Sequence, residues 1–152
     1  MVSNSDVLKL RKETSVGVME CKKALEEAKG DFVKAKEVLK ARGVEIAAKK
    51  SERSTNQGIV TSYIHGAGRV GVLLELVCES DFVAKNDQFK ELAKEIAMQI
   101  ASMDPKTVDE LLEQDYIREP QKKIEDILNE AITKIGENIK IKRFVRYSLG
   151  EE

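Results

Sequence analysis

The residues of this chain whose types and spacing could do chemistry are few. The segment Gly66-Ala67-Gly68-Arg69-Val70-Gly71 matches the spacing of a dinucleotide-binding loop. That loop needs a helix to begin directly after it, because the pyrophosphate sits on the helix N-terminus. Here residues 72–77 form a β-type apolar run instead, which favours a hairpin turn. The single histidine, His65, lies beside this turn and is typical of a solvated strand end.

The two cysteines, Cys21 and Cys78, lie far apart in the sequence, which predicts reduced thiols. Cys21 could gain thiolate character from Lys22 and Lys23, but no histidine is close to it, and a small buried side chain is the favoured interpretation. Two cysteines and one histidine argue against a four-ligand zinc site, and no metal or other cofactor is predicted. No nucleophile, base and oxyanion donor come together, so we expect a binding protein and not an enzyme.

The segment Ser80-Asp81-Phe82-Val83 is different, because it lies between a buried strand and a long helix. Asp81 can cap the turn that follows and free its neighbour to project. The Phe-Val pair has two interpretations. Composition alone favours a plug for the protein's own core. A rigid corner that presents an aromatic side chain is also how an anchor residue is offered to a partner.

Charge and hydropathy limit the classes of partner. The 26 basic and 27 acidic residues of the 152-residue chain nearly cancel, which argues against direct nucleic-acid binding. No apolar run approaches the length of about 20 residues that spans a bilayer. The first six residues lack the positive start and apolar stretch of a signal peptide. We therefore expect a cytoplasmic protein without a membrane partner.

The first part of the chain, residues 5–43, is predicted to form three short helices. Ser5 or Asp6 would cap the first helix, and the second would run over about residues 17–29. Gly30 would end the second helix in a left-handed conformation, Asp31 would cap the third, and Gly43 would stop it. Residues 44–57 become polar and basic and are interpreted as a linker with a solvated basic face.

The second part of the chain alternates like strands over residues 59–64 and 70–78, with glycines between them, which predicts a hairpin. The second run is apolar on both faces and is expected inside the sheet with cover on each side. Apolar spacing predicts a helix over residues 86–103 and a short helix after the cap Thr107. Pro120 would open a last helix that Gly136 closes, and a final strand would pair with the hairpin.

Three segments together resemble the elongation factor Ts family. Residues 10–25 look like its opening signature, Cys78-Glu79-Ser80-Asp81-Phe82-Val83-Ala84-Lys85 its second, and Ile135-Gly136-Glu137-Asn138-Ile139-Lys140-Ile141-Lys142-Arg143 its third. Gly30-Asp31 and the Ala-Ala-Lys-Lys of residues 47–50 also fall where the family has them. Ser80 departs from the family's common Thr but keeps the hydroxyl. Longer members carry a second core subdomain, a coiled-coil insertion and a further C-terminal segment.

The resemblance implies an α+β fold in three parts. Residues 1–44 would form a ubiquitin-associated-like three-helix module, and residues 45–57 a basic linker. Residues 58–152 would form an α+β core of the dimerisation type, with a three-stranded antiparallel sheet and two or three helices. A single sheet could leave one apolar face open, and short family members can pair through their sheets. A homodimer through the core sheet is therefore expected.

The resemblance further implies a partner, the GTPase domain of elongation factor Tu, and a mechanism of guanine nucleotide exchange. Asp81 and Phe82, flanked by Ser80 and Val83, would enter a groove near the partner's magnesium and phosphate site, disturb it and release GDP. The N-terminal module would bind through the face that carries Met19, Cys21, Lys22 and Lys23. Two other classes stay open: a module that only holds its partner, and an enzyme that uses Cys21 or the glycine loop.

Overall fold

The computed structural model describes residues 1–151, which form seven helices and five strands in an α+β arrangement. The helices are α1 Asn4–Thr14, α2 Val18–Glu27, α3 Phe32–Lys50, α4 Asp81–Ala84, α5 Asp87–Met103, α6 Val108–Glu113 and α7 Ile124–Ile135. The strands are β1 Gln57–His65, β2 Val70–Cys78, β3 Asp115–Tyr116, β4 Glu119–Lys123 and β5 Ile139–Ser148. The fold class expected from the sequence is confirmed.

Helices α1, α2 and α3 enclose a small core of their own. Its buried members are Val7, Leu10, Cys21, Ala24, Leu25, Ala28, Ala35 and Leu39. Asp31 caps α3 as predicted, with its side chain accepting from the amide of Lys34 at 3.1 Å. The likeness of these helices to ubiquitin-associated domains stays a prediction.

The predicted cap of α1 is wrong by two residues. Ser3 is the cap, and its hydroxyl accepts from the amide of Asp6 at 3.2 Å. The Asp6 carboxylate accepts in return from the amide of Ser3 at 3.3 Å, which completes a capping box. The hydroxyl of Ser3 also donates to this carboxylate at 2.7 Å. This hydrogen bond first, and then the one from the Ser3 amide, hold the pKa of Asp6 below its usual value.

The predicted end of the third helix at Gly43 is also wrong, because α3 continues to Lys50 across the predicted boundary at residue 44. Gly43 is buried where α3 meets α7, and an added Cβ would lie 3.4 Å from the hydroxyl oxygen of Thr133. The glycine therefore allows two helices to approach and does not end one. Lys50, expected to be solvated, donates to the carbonyl of Gly136 at 2.8 Å.

The sheet has the order β1-β2-β5, and both pairs are antiparallel. The predicted hairpin and final strand are confirmed, with β2 in the centre. Gly66, Ala67 and Gly68 all have positive φ, and the amide of Arg69 donates to the carbonyl of His65 at 3.1 Å. A strand follows this turn, so the helix that a dinucleotide loop requires does not begin there.

Helix α5 covers one face of this sheet and supplies much of the main core. Its inward stripe is the predicted one in large part, and Phe89, Ala93, Ile96, Ala97 and Ile100 are buried. The opposite face is open at Leu73, which is 50% exposed. The expectation that β2 is covered on both sides is therefore wrong within the part of the chain that the structure describes.

The segment before α7 forms a small hairpin, β3–β4, that the sequence did not predict. Pro120 lies in β4 and does not open a helix; α7 begins at Ile124. The β3–β4 ladder pairs only at residues 115–116, 119 and 123, so the missing amide of Pro120 costs nothing there. The buried Gln99 of α5 holds this hairpin, accepting from the amide of Ile117 and donating to the carbonyl of Asp115, both at 3.0 Å.

Substitution Gly58→Ala should destabilise the fold by several kcal/mol, about 2–4. Gly58 has φ +149°, and an added Cβ would lie 2.2 Å from the carbonyl oxygen of Leu76 and 2.7 Å from the Cα of Val77. Both are backbone atoms of the neighbouring strand and cannot move aside cheaply. Urea unfolding measures the change, with Gly17→Ala as the matched control because nothing lies within 4 Å of its added Cβ. Equal stability of the two variants would contradict this account.

Candidate partner-binding site

The candidate site is a corner, residues 80–83, between the central strand and the covering helix. Strand β2 ends at Cys78, the four-residue turn α4 covers Asp81–Ala84, and α5 begins at Asp87 after the cap Asn86. The sequence predicted Asp81 as the residue that caps and shapes this turn. Ser80 is the cap instead, and its hydroxyl accepts from the amide of Val83 at 3.3 Å.

The corner turns one aromatic side chain outward. Phe82 is 83% exposed, so the interpretation of this residue as a plug for its own core is wrong. Val83 is half-buried against the main core, and Ala84 is buried in it. Asp81 is exposed and pairs with Lys85 at 3.7 Å. The inward pair fixes the turn to the core while Phe82 faces away from it.

Glu137, in the connection between α7 and β5, holds the start of the corner from outside. One carboxylate oxygen accepts from the amides of Glu79 and Ser80 at 3.1 and 3.0 Å. The other accepts from the hydroxyl of Ser80 at 2.6 Å. Hydrogen bonds to a charged acceptor are about twice as strong as neutral ones, so three of them onto two consecutive residues fix the corner firmly.

Glu79 makes the converse contact, from the end of β2 to the segment that carries Glu137. Its carboxylate accepts from the amide of Asn138 at 2.6 Å. The buried Asn138 side chain donates to the carbonyls of Ser51 and Arg53, at 3.3 and 2.9 Å, just after α3 ends. Glu79 and Glu137 together are called the carboxylate clamp below. Through it, the corner, the start of β5 and the segment after α3 are joined.

Glu79, Glu137 and Asn138 belong to the family signatures, but the sequence pattern assigns them no role. Glu79 lies at a strand end and Glu137 follows the glycine that closes a helix, but 58 positions separate them. Nothing in the local sequence pattern shows that such residues meet.

Cys78 lies beneath the corner, fully buried, with its thiol donating to the carbonyl of Ser80 at 3.2 Å. Burial first, and then the negative charge of Glu137, raise the pKa of this thiol to about 11. The thiol is therefore neutral at physiological pH and serves as a packing group and a hydrogen-bond donor. Its predicted place in the core is confirmed.

The N-terminal residues named as a contact face do not all reach the surface. Met19, Lys22 and Lys23 are exposed. Cys21 is fully buried, and its thiol donates to the carbonyl of Val16 at 3.5 Å. A partner cannot touch Cys21 without unfolding the module, so this residue is corrected from a contact to a support of the α1–α2 turn, as its alternative interpretation held.

The remaining candidates have structural explanations. His65 is exposed and its ring nitrogen lies 2.9 Å from the hydroxyl of Tyr63. Within residues 1–151, no group of three or more His, Cys, Asp or Glu side chains could hold a metal ion. Over the same residues, no helix combines the length and the apolar character needed to cross a membrane.

Comparison with known proteins identifies the family. The sequence pattern described as Elongation factor TS matches residues 79–152, which begin at the corner and include both glutamates of the clamp. Elongation factor Ts of Thermoanaerobacter sp. (strain X514) is 42% identical, over 99% of this chain and 96% of the relative. The chain belongs to the elongation factor Ts family. Elongation factor Ts of Thermotoga neapolitana is 41% identical over 99% of this chain and 98% of the relative.

One pairwise comparison also shows that this chain is shorter than a relative. The relative from Thermosipho melanesiensis is 40% identical and is matched over its whole length, in an alignment of 196 positions. This chain has 152 residues. The additional residues of that relative therefore lie inside the aligned region.

The raised pKa of Cys78 predicts a slow thiol. At pH 8 a pKa of about 11 leaves about 100-fold less thiolate than the unperturbed group has, and only the thiolate is nucleophilic. Alkylation of Cys78 by iodoacetamide should therefore be at least about 100-fold slower in the folded protein than in urea. Mass spectrometry of the Cys78 peptide over time measures both rates. Folded and unfolded rates within tenfold of each other would contradict the assigned environment.

Proposed function

We propose that this chain is a guanine nucleotide exchange factor that binds the GTPase domain of elongation factor Tu and releases its GDP so that GTP can bind. The observation that carries the proposal is Phe82, 83% exposed on a corner that the carboxylate clamp and the core hold from both sides. Membership of the elongation factor Ts family supports the choice of partner. A partner in translation places this activity in the cytoplasm.

Phe82 is the wedge in this mechanism. A large exposed aromatic side chain on a rigid support is suited to fill a pocket in a partner. On entering a groove beside the nucleotide, Phe82 would displace the partner's helices and disturb the partner's magnesium site. Phosphate charge then loses compensation and GDP leaves. The magnesium ion belongs to the partner, and the proposed mechanism assigns it no ligand from residues 1–151.

The remaining residues of the corner support Phe82. Ser80 caps the turn and Val83 anchors it in the core. Asp81, exposed beside Phe82, enters the same groove, but its shaping role now belongs to Ser80. These residues make no bond and break none, so the protein acts by binding and is not an enzyme.

The N-terminal module provides a second contact through Met19, Lys22 and Lys23. An open cleft of about 520 Å³ supports simultaneous binding by the two parts. Ser15, which leads into α2, and Gln88, which follows the corner, both line it. Arg11, Lys12 and Lys134 lie along the same cleft and make it basic. One surface of a partner can therefore meet both modules.

Exchange depends on a coupling free energy: the factor must bind nucleotide-free elongation factor Tu better than the GDP-bound form, and GDP weakens the factor by the same ratio. In this proposal Phe82 supplies the difference, because its contact with the partner is stronger in the nucleotide-free form. A chain that bound both forms equally would hold its partner without releasing nucleotide. This distinction separates the proposed function from a simple binding module.

Substitution Phe82→Ala should slow GDP release by about 30-fold or more, since truncating an anchor residue costs about 2 kcal/mol or more. Release of a fluorescent GDP analogue from elongation factor Tu, at saturating concentrations of this chain, measures the rate. Folding and binding through the N-terminal module should persist.

The control is Met103→Ala, another exposed apolar residue, which lies at the far end of α5, about 24 Å from its start. It should release GDP at the unmodified rate. Release by Phe82→Ala at that same rate would refute the wedge. Binding by the unmodified chain with no change in release would show a module that only holds its partner.

The open face of the sheet supports a homodimer through the core. Its exposed apolar side chains are Val60, Ile64, Leu73, Val145 and Tyr147. Leu73 lies at the centre, paired with Ser62 on one side and Val145 on the other. Contiguous apolar surface of this kind usually marks an interaction site, and a second copy presents the same face.

Substitution Leu73→Lys should convert the dimer to a monomer, because a charge would be buried at the centre of the apolar contact. Light scattering over a range of protein concentrations measures the change. The matched control, Val33→Lys, places the same charge on an exposed apolar position of α3 and should leave the dimer intact. A monomeric unmodified chain, or a dimeric Leu73→Lys variant, would exclude this interface.

A further inference from the structure

Glu79 and Glu137 make reciprocal contacts between two segments that are far apart in the sequence. Each carboxylate accepts from the backbone of the segment that carries the other, at 2.6 Å from the amide of Asn138 and at 3.0 and 3.1 Å from the amides at 80 and 79. The contact lies where β2 and β5 end their pairing, since Cys78 is opposite Ile139. Glu79 comes directly after Cys78 and Glu137 lies two residues before Ile139, so this register brings the two glutamates close together.

The Glu137 half of this contact is aimed at the corner. Its three hydrogen bonds go to Glu79 and Ser80, and Ser80 is the residue whose hydroxyl caps the turn that carries Phe82. The carboxylate fixes the backbone and the side chain of Ser80 at once. The direction of the following turn, and with it the direction of Phe82, is thereby set.

An exposed aromatic side chain needs such a restraint. Removal of apolar surface from water is favourable, so a loosely held corner would turn Phe82 towards the protein's own surface. Val83 and Ala84 anchor the far end of the turn in the core, and Ser80 is its near end. With both ends fixed, Phe82 stays outward before any partner arrives, and the cost of ordering it on binding is already met.

We propose that Glu137 is a positioning residue for nucleotide release: through Ser80 it holds Phe82 in the outward orientation that the partner's groove accepts. The proposal rests on the proposed exchange function. Glu137 would raise the fraction of molecules in which the corner holds Phe82 outward. It would touch neither the nucleotide nor the magnesium ion. A smaller competent population lowers the effective strength of the wedge by the same fraction.

The test compares Glu137→Ala and Glu137→Gln, each alone and combined with Phe82→Ala. Glu137→Ala removes all three hydrogen bonds and should slow the maximal rate of GDP release about tenfold, as a tenfold fall in competent population would. Glu137→Gln keeps one oxygen for the two amides and should recover part of the rate. Binding to GDP-bound elongation factor Tu, which the N-terminal module supports, should change by less than about threefold.

The combination with Phe82→Ala separates positioning from general stability. If Glu137 acts only through Phe82, adding Glu137→Ala to Phe82→Ala should slow release no further. The matched control is Glu130→Ala, a carboxylate of α7 that pairs at the surface with Lys122. It should leave release unchanged. Amide hydrogen exchange of the free chain, read at residues 79 and 80, should rise in Glu137→Ala and not in Glu130→Ala.

Three results would overturn the proposal. Full-rate release by Glu137→Ala, when Phe82→Ala is slow, would remove the positioning role and leave the exchange function standing. Equal further slowing of Phe82→Ala by Glu137→Ala would show a role independent of Phe82. No acceleration by the unmodified chain would remove the exchange function, and the positioning role with it. If Glu137→Ala does not fold, Glu137→Gln in the same combination decides between these results.

Discussion

Reciprocal hydrogen bonding between the segments that carry Glu79 and Glu137 organises the corner that presents Phe82. Glu79 follows the end of β2 and Glu137 precedes the start of β5. The Glu79 carboxylate accepts from the amide of Asn138, and the Glu137 carboxylate accepts from the amides of Glu79 and Ser80. The central strand, the corner, the last turn of α7 and the segment after α3 all meet at this contact. Antiparallel pairing of Cys78 with Ile139 brings the two carboxylates together, so the register of the sheet determines the geometry of the site.

The contrast between Phe82 and Phe89 shows that this arrangement keeps an aromatic side chain exposed. Phe89 of α5 is fully buried, whereas Phe82, seven positions earlier, is 83% exposed. Burial of a phenylalanine side chain is worth about 1.5–3 kcal/mol, and the free chain forgoes that stabilisation at Phe82. A partner that buries Phe82 recovers it. Burial of this side chain would therefore contribute to the free energy of binding, but only with a partner whose groove matches the corner.

The sequence predicted the regular elements of the fold because their patterns are local. Alternation located β1, β2 and β5, and the apolar stripe of α5 was visible from Phe89 to Ile100. The helix end predicted at Gly43 and the helix start predicted at Pro120 were wrong, because tertiary contacts decide the roles of these residues. Gly43 fits beneath α7 inside a continuous helix, and Pro120 lies in a ribbon that needs no amide from it.

The candidate site was predictable only in part, for the same reason. Phe82 could be singled out because it lies between a buried strand and a long helix, but its outward direction depends on Val83 and Ala84 packing inward. The role of Glu137 depends on a contact across 57 positions to Ser80, which no periodicity encodes. Cys21 was included as a contact by resemblance, although the residue pattern itself favoured burial, and the structure agrees with the pattern.

The continuity of α3 has a consequence for how the two modules would work together. Its first half contributes Ala35 and Leu39 to the small N-terminal core, and Ala47 near its end belongs to the main core. Lys40 and Lys50 add an ion pair to Asp126 at 3.4 Å and a hydrogen bond to the carbonyl of Gly136. A helix fixed at both ends would hold the two proposed contact surfaces at a set separation. Binding through one surface then presents the other without the loss of linker entropy that a flexible connection would require. Because the N-terminal module would already hold the partner, Phe82 needs to contribute only the difference between the two nucleotide states.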